Sequence, residues 1–156
     1  MLMLYTGQRG SDAVKRGFTD IEDGGFCIRQ QKTHREVWVP IVQELADEMA
    51  SWERRPGPFL LKDTGRPFTR AHFWHLYDRE RAKLPALAGA TLHGLRATAV
   101  IRLRQHGLSS GQIGDIIGMS LSMIERYCRF ADKKASGRAA LISLTRERSK
   151  AKREGS

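Results

Sequence analysis

Residues 91–107, TLHGLRATAVIRLRQHG, predict one helix that carries an arginine on its apolar side. Thr91 can cap this helix and Gly107 can stop it. Its apolar stripe consists of Leu92, Leu95, Ala99 and Leu103. Arg96 falls inside the arc of that stripe, and His93, three residues earlier, projects to the same side. An arginine that faces a core usually has an anionic partner, which is either a carboxylate of the same chain or a bound anion. The helix alone leaves both alternatives open.

Residues 110–127, SGQIGDIIGMSLSMIERY, have helix–turn–helix character. Such a motif needs a small residue, a turn glycine, a cap and an apolar anchor, and these fall at Gly114, Gly118, Ser120 and Ile124. The pattern is common and is therefore weak evidence for DNA binding. Tyr127 lies beside the apolar stripe of the second helix, where a tyrosine usually packs with its hydroxyl in water.

The remaining pattern predicts an α+β chain that is mostly helical, with a small three-stranded antiparallel sheet near the N-terminus packed on a helical bundle. Strands are expected at 18–21, 26–30 and 37–40, with a polar hairpin tip at 32–36. Further helices are expected at 41–54, at 69–84 and from Ser120 to about Phe130. The three tryptophans are expected in the core. We predict one domain over residues 1–148 and a disordered basic tail over residues 149–156.

Charge is the strongest bulk signal, with 27 Lys and Arg against 17 Asp and Glu, a net charge of +10. A pI near 10.2 is typical of proteins that bind nucleic acids. No apolar run reaches the ~18 residues of a membrane span, and no secretory signal opens the chain. Cys27 and Cys128 lie far apart, which excludes a disulfide framework and any obvious zinc site and suits a reducing compartment.

Five short motifs, in this order along residues 4–131, together resemble the catalytic domain of the tyrosine recombinases, the phage integrase family. They are YTGQRGSD at 5–12, QKT at 31–33, LHGLR at 92–96, IIG at 116–118 and ERY at 125–127. In the family these correspond to a first arginine box, a hairpin lysine, an HxxR box, the residues before a histidine or tryptophan, and the nucleophile box. Each motif is weak alone, and the ordered set is strong evidence.

The resemblance implies a transesterification at a DNA phosphodiester without metal or cofactor. Arg9 and Arg96 would bind the non-bridging oxygens of the phosphate, a task that suits planar guanidinium groups. Tyr127 would attack phosphorus and form a 3′-phosphotyrosyl link. Lys32 would protonate the leaving 5′ oxygen. His93 would hydrogen-bond the phosphate or assist proton transfer to and from Tyr127.

Two further positions follow from the same resemblance. Asp12 is expected to orient an arginine. Met119 stands where the family usually has histidine or tryptophan, and methionine cannot donate a strong hydrogen bond to a phosphate. Met119 could still supply the apolar support that tryptophan gives, so we expect reduced rather than absent activity. The interval from Met119 to Tyr127 is also one residue shorter than the common family spacing.

The family also has helices before the first arginine box and, before them, a helical domain that grips the other face of the DNA. This chain starts eight residues before Arg9, so we expect a C-terminal catalytic fragment that need not be active alone. Its expected partner is double-stranded DNA, contacted by Lys133, Lys134 and Arg138. The family works as a tetramer on two DNA sites, which implies self-association. We expect no membrane association and a cytoplasmic location, in a bacterial nucleoid or in the host of a phage.

Two other functions remain open on the sequence: a non-catalytic helix–turn–helix DNA-binding module, and a decayed remnant that only packs with partners. The enzyme needs the five reactive residues to cluster in space. The binding module needs an exposed basic face on the helix after Ser120. That helix offers mainly Glu125, Arg126 and Arg129, a poor set for reading bases.

Overall fold

The fold consists of helices packed against one face of a small antiparallel sheet. The computed structural model describes residues 1–154, except for the side chains of residues 130 and 146–154. The strands are β1 (Ile21–Glu22), β2 (Gly25–Arg29) and β3 (Glu36–Pro40). The helices are α1 (Leu2–Thr6), α2 (Gly10–Ala13), α3 (Gln43–Ala50), α4 (Arg70–Ala82), α5 (Leu92–Gln105), α6 (Ser110–Ile117) and α7 (Leu121–Glu154). Short 3-10 helices form at Phe18–Asp20 and Pro85–Leu87. The predicted α+β class, mostly helical with a three-stranded antiparallel sheet, is confirmed.

The sheet has the order β1-β2-β3, and its register places Phe26 opposite Val39 and Ile28 opposite Val37. These four side chains are buried and pack with Leu45 and Met49 of α3. Side chains alternate between the two faces of a strand, so the residues between them point outward. The first strand is shorter than predicted, because residues 18–20 form a 3-10 helix.

A second core joins α5, α6 and α7. It contains Ala99, Val100, Ile113, Ile117, Ile124 and Cys128, all of them buried. The predicted Thr91 cap is present, because its side chain accepts a hydrogen bond from the Gly94 backbone N–H at 2.9 Å. Ser109 caps α6 in the same way, accepting from the Gln112 backbone N–H at 3.3 Å. Gly118 ends α6 in the left-handed conformation, with φ 68°. The caps and this glycine therefore fix where α5 starts and α6 ends.

Two expectations about the fold were wrong. Trp38 and Trp74 are 47% and 38% exposed, whereas Trp52 packs against the first core. Trp38 points outward because it lies between the buried residues Val37 and Val39 on one strand. Helix α7 does not end near residue 130 but continues to Glu154, through a stretch rich in alanine, lysine, arginine and glutamate, which favour helix.

The same helix includes residues 149–154, the greater part of the tail expected to lack structure. The last two residues of that tail, 155 and 156, lie outside the described residues.

We expect Gly17→Ala to destabilise the fold strongly, whereas Gly89→Ala should have little effect. Gly17 is buried, and a Cβ there would overlap the Gly57 carbonyl, lying 2.8 Å from its carbon atom. Backbone cannot move aside as a flexible side chain can, so the cost should reach about 1–3 kcal/mol or more. A Cβ at Gly89 would meet nothing within 4 Å. Urea unfolding followed by circular dichroism measures both variants, and equal stabilities would contradict this packing.

Candidate active site

Six residues singled out by the sequence border one cavity of about 850 Å³. They are Arg9, Lys32, His93, Arg96, Met119 and Tyr127. They come from five separate places: the α1–α2 connection, the β2–β3 turn, the first turns of α5, the α6–α7 turn and α7. The fold therefore brings together groups that are distant in sequence and that include cations, an imidazole and a phenol.

Arg96 lies at the base of this cavity and is 3% exposed. Its Nη1 donates to the Gly7 carbonyl at 2.8 Å, and its Nη2 donates to the Ile117 carbonyl at 3.1 Å. Both carbonyls belong to helix ends, where backbone acceptors lack partners within the helix. Among the described side chains, no carboxylate lies within ion-pair distance of Arg96. The internal partner of this arginine is therefore backbone, not the aspartate or glutamate considered from sequence.

Burial lowers the pKa of Arg96 to about 10, and the positive charge of Arg9 acts in the same direction, against the opposing effects of Asp12 and Tyr127. The group stays protonated at neutral pH because that value is well above 7. Arg9 is more open, with a side chain that is 28% exposed, and its Nη1 donates to Gln30 Oε1 at 3.0 Å. Two neighbouring guanidinium groups on one cavity create a site that favours an anion.

Asp12 is completely buried beside the cavity. Its Oδ1 accepts a hydrogen bond from the Gln31 backbone N–H at 2.9 Å, and its Oδ2 lies 3.9 Å from Arg9 Nη1. That second oxygen has no hydrogen-bond partner among the described residues. Asp12 thus ties the start of the β2–β3 turn to α2 and places a negative charge beside Arg9.

His93 and Tyr127 form a direct hydrogen bond across the cavity, with 2.7 Å between Nε2 and the phenol oxygen. Their rings meet edge to face, with centroids 6.1 Å apart. His93 stands in the first turn of α5 and Tyr127 in the second turn of α7, so the bond joins two helices that share a core. A proton can pass directly between these two atoms.

Lys32 and Met119 occupy the rim. Lys32 is exposed in the turn between β2 and β3. Met119 follows Gly118, is half-buried and packs against the second core together with Tyr127. The cations Lys133, Lys134 and Arg138 are exposed on α7 and are not among the residues that line the cavity.

Sequence reasoning missed four residues near this site. Gln8 and Gln30 are fully buried behind the two arginines, and Arg70 and Trp74 of α4 line the cavity. Gln30 could have been found, because it continues the inward alternation of Phe26 and Ile28 and is therefore a polar side chain at a core position. Arg70 and Trp74 carried no comparable signal, since α4 contains no fully buried residue.

Comparison with known proteins identifies the family. The sequence model of the phage integrase family matches residues 1–134. The chain belongs to the phage integrase family. No curated protein sequence matches this integrase-family chain.

Solved structures of integrases and recombinases share the fold. The Tn1549 transposon integrase in complex with circular intermediate DNA matches with a TM-score of 0.67 and 18% identity, over 81% of this chain and 50% of that one. The XerA recombinase matches with a TM-score of 0.68 and 18% identity, over 81% and 50%. A lambda integrase dimer bound to a core site matches with a TM-score of 0.63 and 23% identity, over 81% and 49%. This chain thus spans about half the length of these proteins.

The described part of the integrase-family chain contains no group of three His, Cys, Asp or Glu side chains that could hold a metal ion. Over the same residues, no helix is long and apolar enough to cross a membrane.

Arg96→Met should destabilise the protein by about 1–2 kcal/mol. Methionine retains the length of the apolar stem but donates no hydrogen bond, so the buried Gly7 carbonyl loses its partner, which costs about 1–3 kcal/mol. The Ile117 carbonyl keeps its hydrogen bond from Gln30 Nε2, and removal of the buried charge offsets part of the cost. Arg129→Met, on the exposed surface of α7, is the matched control and should stay within about 0.5 kcal/mol of wild type. Urea unfolding gives both values. An Arg96→Met variant as stable as wild type would show that the Gly7 carbonyl does not depend on this side chain.

Proposed function

We propose that this integrase-family domain performs site-specific DNA recombination, by cleaving and rejoining strands through a 3′-phosphotyrosyl intermediate. The observation that carries the proposal is the 2.7 Å hydrogen bond between His93 Nε2 and the Tyr127 hydroxyl, on a cavity whose lining includes Arg9, Arg96 and Lys32. A nucleophile paired with a base, beside cations that can hold a phosphate, is the arrangement that phosphoryl transfer requires.

In this proposal the arginines bind the scissile phosphate. The phosphate's negative charge increases in the transition state, and Arg9 and Arg96 stabilise it without a metal ion. Arg96 uses two N–H groups on the carbonyls of Gly7 and Ile117, which fixes its guanidinium plane before DNA arrives. A fixed donor requires no reorganisation during the reaction, and this lowers the barrier. The Asp12 carboxylate, with Oδ2 3.9 Å from Arg9 Nη1, attracts the Arg9 guanidinium and helps to hold it in place.

The covalent step exchanges one ester for another. The Tyr127 oxygen attacks phosphorus and its proton passes to His93 Nε2, while the bond from phosphorus to the 5′ oxygen breaks. Lys32, at the tip of the β2–β3 turn, gives a proton to that 5′ oxygen. The 3′-phosphotyrosyl link conserves the energy of the broken ester, so the 5′ hydroxyl of a second strand can reverse the step without ATP.

Met119 places an apolar group where a hydrogen-bond donor to the phosphate would be expected. The two arginines then carry the phosphate charge with less help, so we propose a slower rather than a different reaction. The packing of Met119 with Tyr127 against the second core supplies mechanical support to the nucleophile instead.

Double-stranded DNA is the proposed substrate. The Tn1549 and lambda integrases were solved with DNA, the latter as a dimer on a core site and as a tetramer on a Holliday junction. By analogy with these assemblies, we propose that several copies of this protein assemble on two DNA sites. We also propose that the protein is located in the compartment that contains this DNA. Lys133, Lys134 and Arg138 are exposed on α7 and can add sequence-independent contacts to the DNA backbone.

The helix–turn–helix alternative lacks comparable support. Ile113 and Ile117 of α6 and Ile124 of α7 are buried in the second core. On the outer surface of α7, Glu125, Arg126 and Arg129 are exposed. A glutamate among two arginines gives a mixed face with little capacity to read base edges.

Tyr127→Phe should abolish a covalent protein–DNA adduct and leave DNA affinity nearly unchanged, because only the attacking oxygen is removed. The substrate is a pool of nicked duplexes of randomised sequence, from which the protein selects its own site; cleavage near the nick releases a short fragment and traps the adduct. Denaturing electrophoresis detects the adduct and filter binding measures affinity. Tyr77→Phe, on α4, is the matched control and should keep forming the adduct. An adduct that survives in Tyr127→Phe would refute this nucleophile.

Lys32→Ala should slow cleavage of the selected duplex by about 10²–10⁴-fold, the usual contribution of a general acid. With a sulfur atom in place of the 5′ bridging oxygen, most of that loss should disappear, because a thiolate leaves without being protonated. Rates of adduct formation on the two substrates provide the test. Lys15→Ala, at an exposed position outside the cavity lining, serves as the control that should slow neither reaction. Equal losses on oxygen and sulfur substrates would remove Lys32 from this role.

A further inference from the structure

We propose that Gln30 is a positioning residue that orients Arg9 toward the scissile phosphate, an inference that rests on the recombinase function proposed above. Gln30 is the first residue after β2 and is completely buried. It does not line the cavity, so it would not touch DNA. Its effect on the reaction would therefore pass through the groups it binds.

The side-chain amide of Gln30 uses all four of its hydrogen-bonding positions. Its Nε2 donates to Gln8 Oε1 at 2.8 Å and to the Ile117 carbonyl at 2.7 Å. Its Oε1 accepts from Arg9 Nη1 at 3.0 Å and from Thr33 Oγ1 at 2.7 Å. The opposite orientation of the amide would turn an N–H group toward a guanidinium, so the contacts permit only one orientation.

These four contacts connect the separate parts of the proposed active site. Ile117 also accepts from Arg96, so one carbonyl oxygen joins Gln30 to the second arginine. Thr33 adjoins Lys32 on the β2–β3 turn. Arg9 and Thr33 both line the cavity, and Arg9 is the charged partner of the two. The bond from Arg9 to Gln30 removes one of the five N–H donors of that guanidinium from competition for the phosphate.

The surroundings leave Gln30 no room to rearrange. A Cβ at Gly118 would lie 2.6 Å from Gln30 Nε2 and 2.7 Å from its Oε1, so the amide packs directly on the backbone at the end of α6. Gly118 has φ 68°, a conformation that favours glycine in its own right. The close approach therefore holds the amide in one place. The amide needs this rigidity if it is to orient Arg9 to within a fraction of an ångström.

A role limited to stability makes a different prediction from a positioning role. If Gln30 only fills the interior, its loss should slow the reaction of every substrate by the same factor. If it orients Arg9, the loss should depend on the charge of the phosphate that Arg9 binds. A methylphosphonate, in which a methyl group replaces one non-bridging oxygen, lacks that charge and needs the arginine less.

The test compares Gln30→Met with wild type on three forms of the duplex selected above. We expect cleavage of the ordinary phosphodiester to slow by about 10–100-fold, the loss that is typical when a residue that orients a functional group through a hydrogen bond is replaced. On the methylphosphonate the ratio of wild-type to variant rates should fall below about threefold. On the 5′-bridging phosphorothiolate the ratio should stay as large as on the phosphodiester, since Arg9 and not Lys32 has moved. Gln105→Met, exposed at the end of α5, is the matched control and should equal wild type on all three.

Gln30→Glu is a second variant that keeps the size of the side chain and both contacts of Oε1. Its carboxylate would hold Arg9 by charge and away from the phosphate. The ratio of wild-type to variant rates should therefore increase as the pH rises through the ionisation of that carboxyl group, and a ratio that does not change with pH would argue against the proposal. Thermal unfolding of both variants establishes that they are folded at the assay temperature.

The outcomes separate the two proposals. Covalent adduct formation by wild type, together with losses for Gln30→Met that are equal on the three substrates, overturns the positioning role alone. A loss that disappears only on the phosphorothiolate also overturns it, because the effect would then pass through Lys32. Failure of wild type to form any Tyr127-dependent adduct overturns the recombinase function, and the role of Gln30 with it.

Discussion

The guanidinium of Arg96, buried between two backbone carbonyls, is the interaction on which the rest of the structure depends. Helices α1 and α6 both end at left-handed glycines, Gly7 and Gly118, and their terminal carbonyls converge on this one side chain. Because α1 ends there, the next residues carry Arg9 to the cavity. Because α6 ends there, Met119 and the start of α7 also reach the cavity. One arginine thus fixes the relative position of chain segments that are about 110 residues apart.

Burying the Arg96 cation costs folding free energy, and the same burial favours the binding of an anion at the site. Burial lowers the pKa of Arg96 to about 10, so keeping this side chain protonated in the folded state costs folding free energy at neutral pH. The folded-state pKa lies below the ordinary arginine pKa, so the cost is present in full below pH 10 and disappears only as the pH rises from there toward the ordinary value. Hydrogen bonds to the carbonyls of Gly7 and Ile117 offset part of it. An anion between Arg96 and Arg9 would relieve both the desolvation and the repulsion, which is why the same arginine can serve the fold and the phosphate.

Much of the fold could be predicted because periodicity reports burial directly. The α5 helix, its Thr91 cap and the hairpin that carries Lys32 all followed from local patterns, whereas the assignment of site residues came from the resemblance of five ordered motifs to a known family. The partners of Arg96 could not be predicted, since backbone carbonyls leave no mark in the side-chain sequence. Trp38 is the opposite case. It was expected in the core because tryptophan is hydrophobic, but its position between Val37 and Val39 on one strand predicts that it points outward. The same alternation places Gln30 in the interior, where a polar residue signals a specific partner.

The proposed nucleophile, Tyr127, is held by packing in a hydrophobic core, whereas the proposed phosphate-binding and proton-donating groups Arg9 and Lys32 are held by hydrogen bonds or lie in a turn. Tyr127 lies between Ile124 and Cys128 of α7, both fully buried, so helix rotation alone determines which way its ring points. His93 is held on α5, which contributes Ala99 and Val100 to the same core. The 2.7 Å bond between the two is therefore formed before any DNA is bound, by packing that the substitution of methionine at position 119 leaves intact. By contrast, Arg9 and Lys32 occupy a connection and a turn, where hydrogen bonds must provide the rigidity that helices give to His93 and Tyr127. This division explains why buried glutamines gather behind the arginines and not behind the tyrosine.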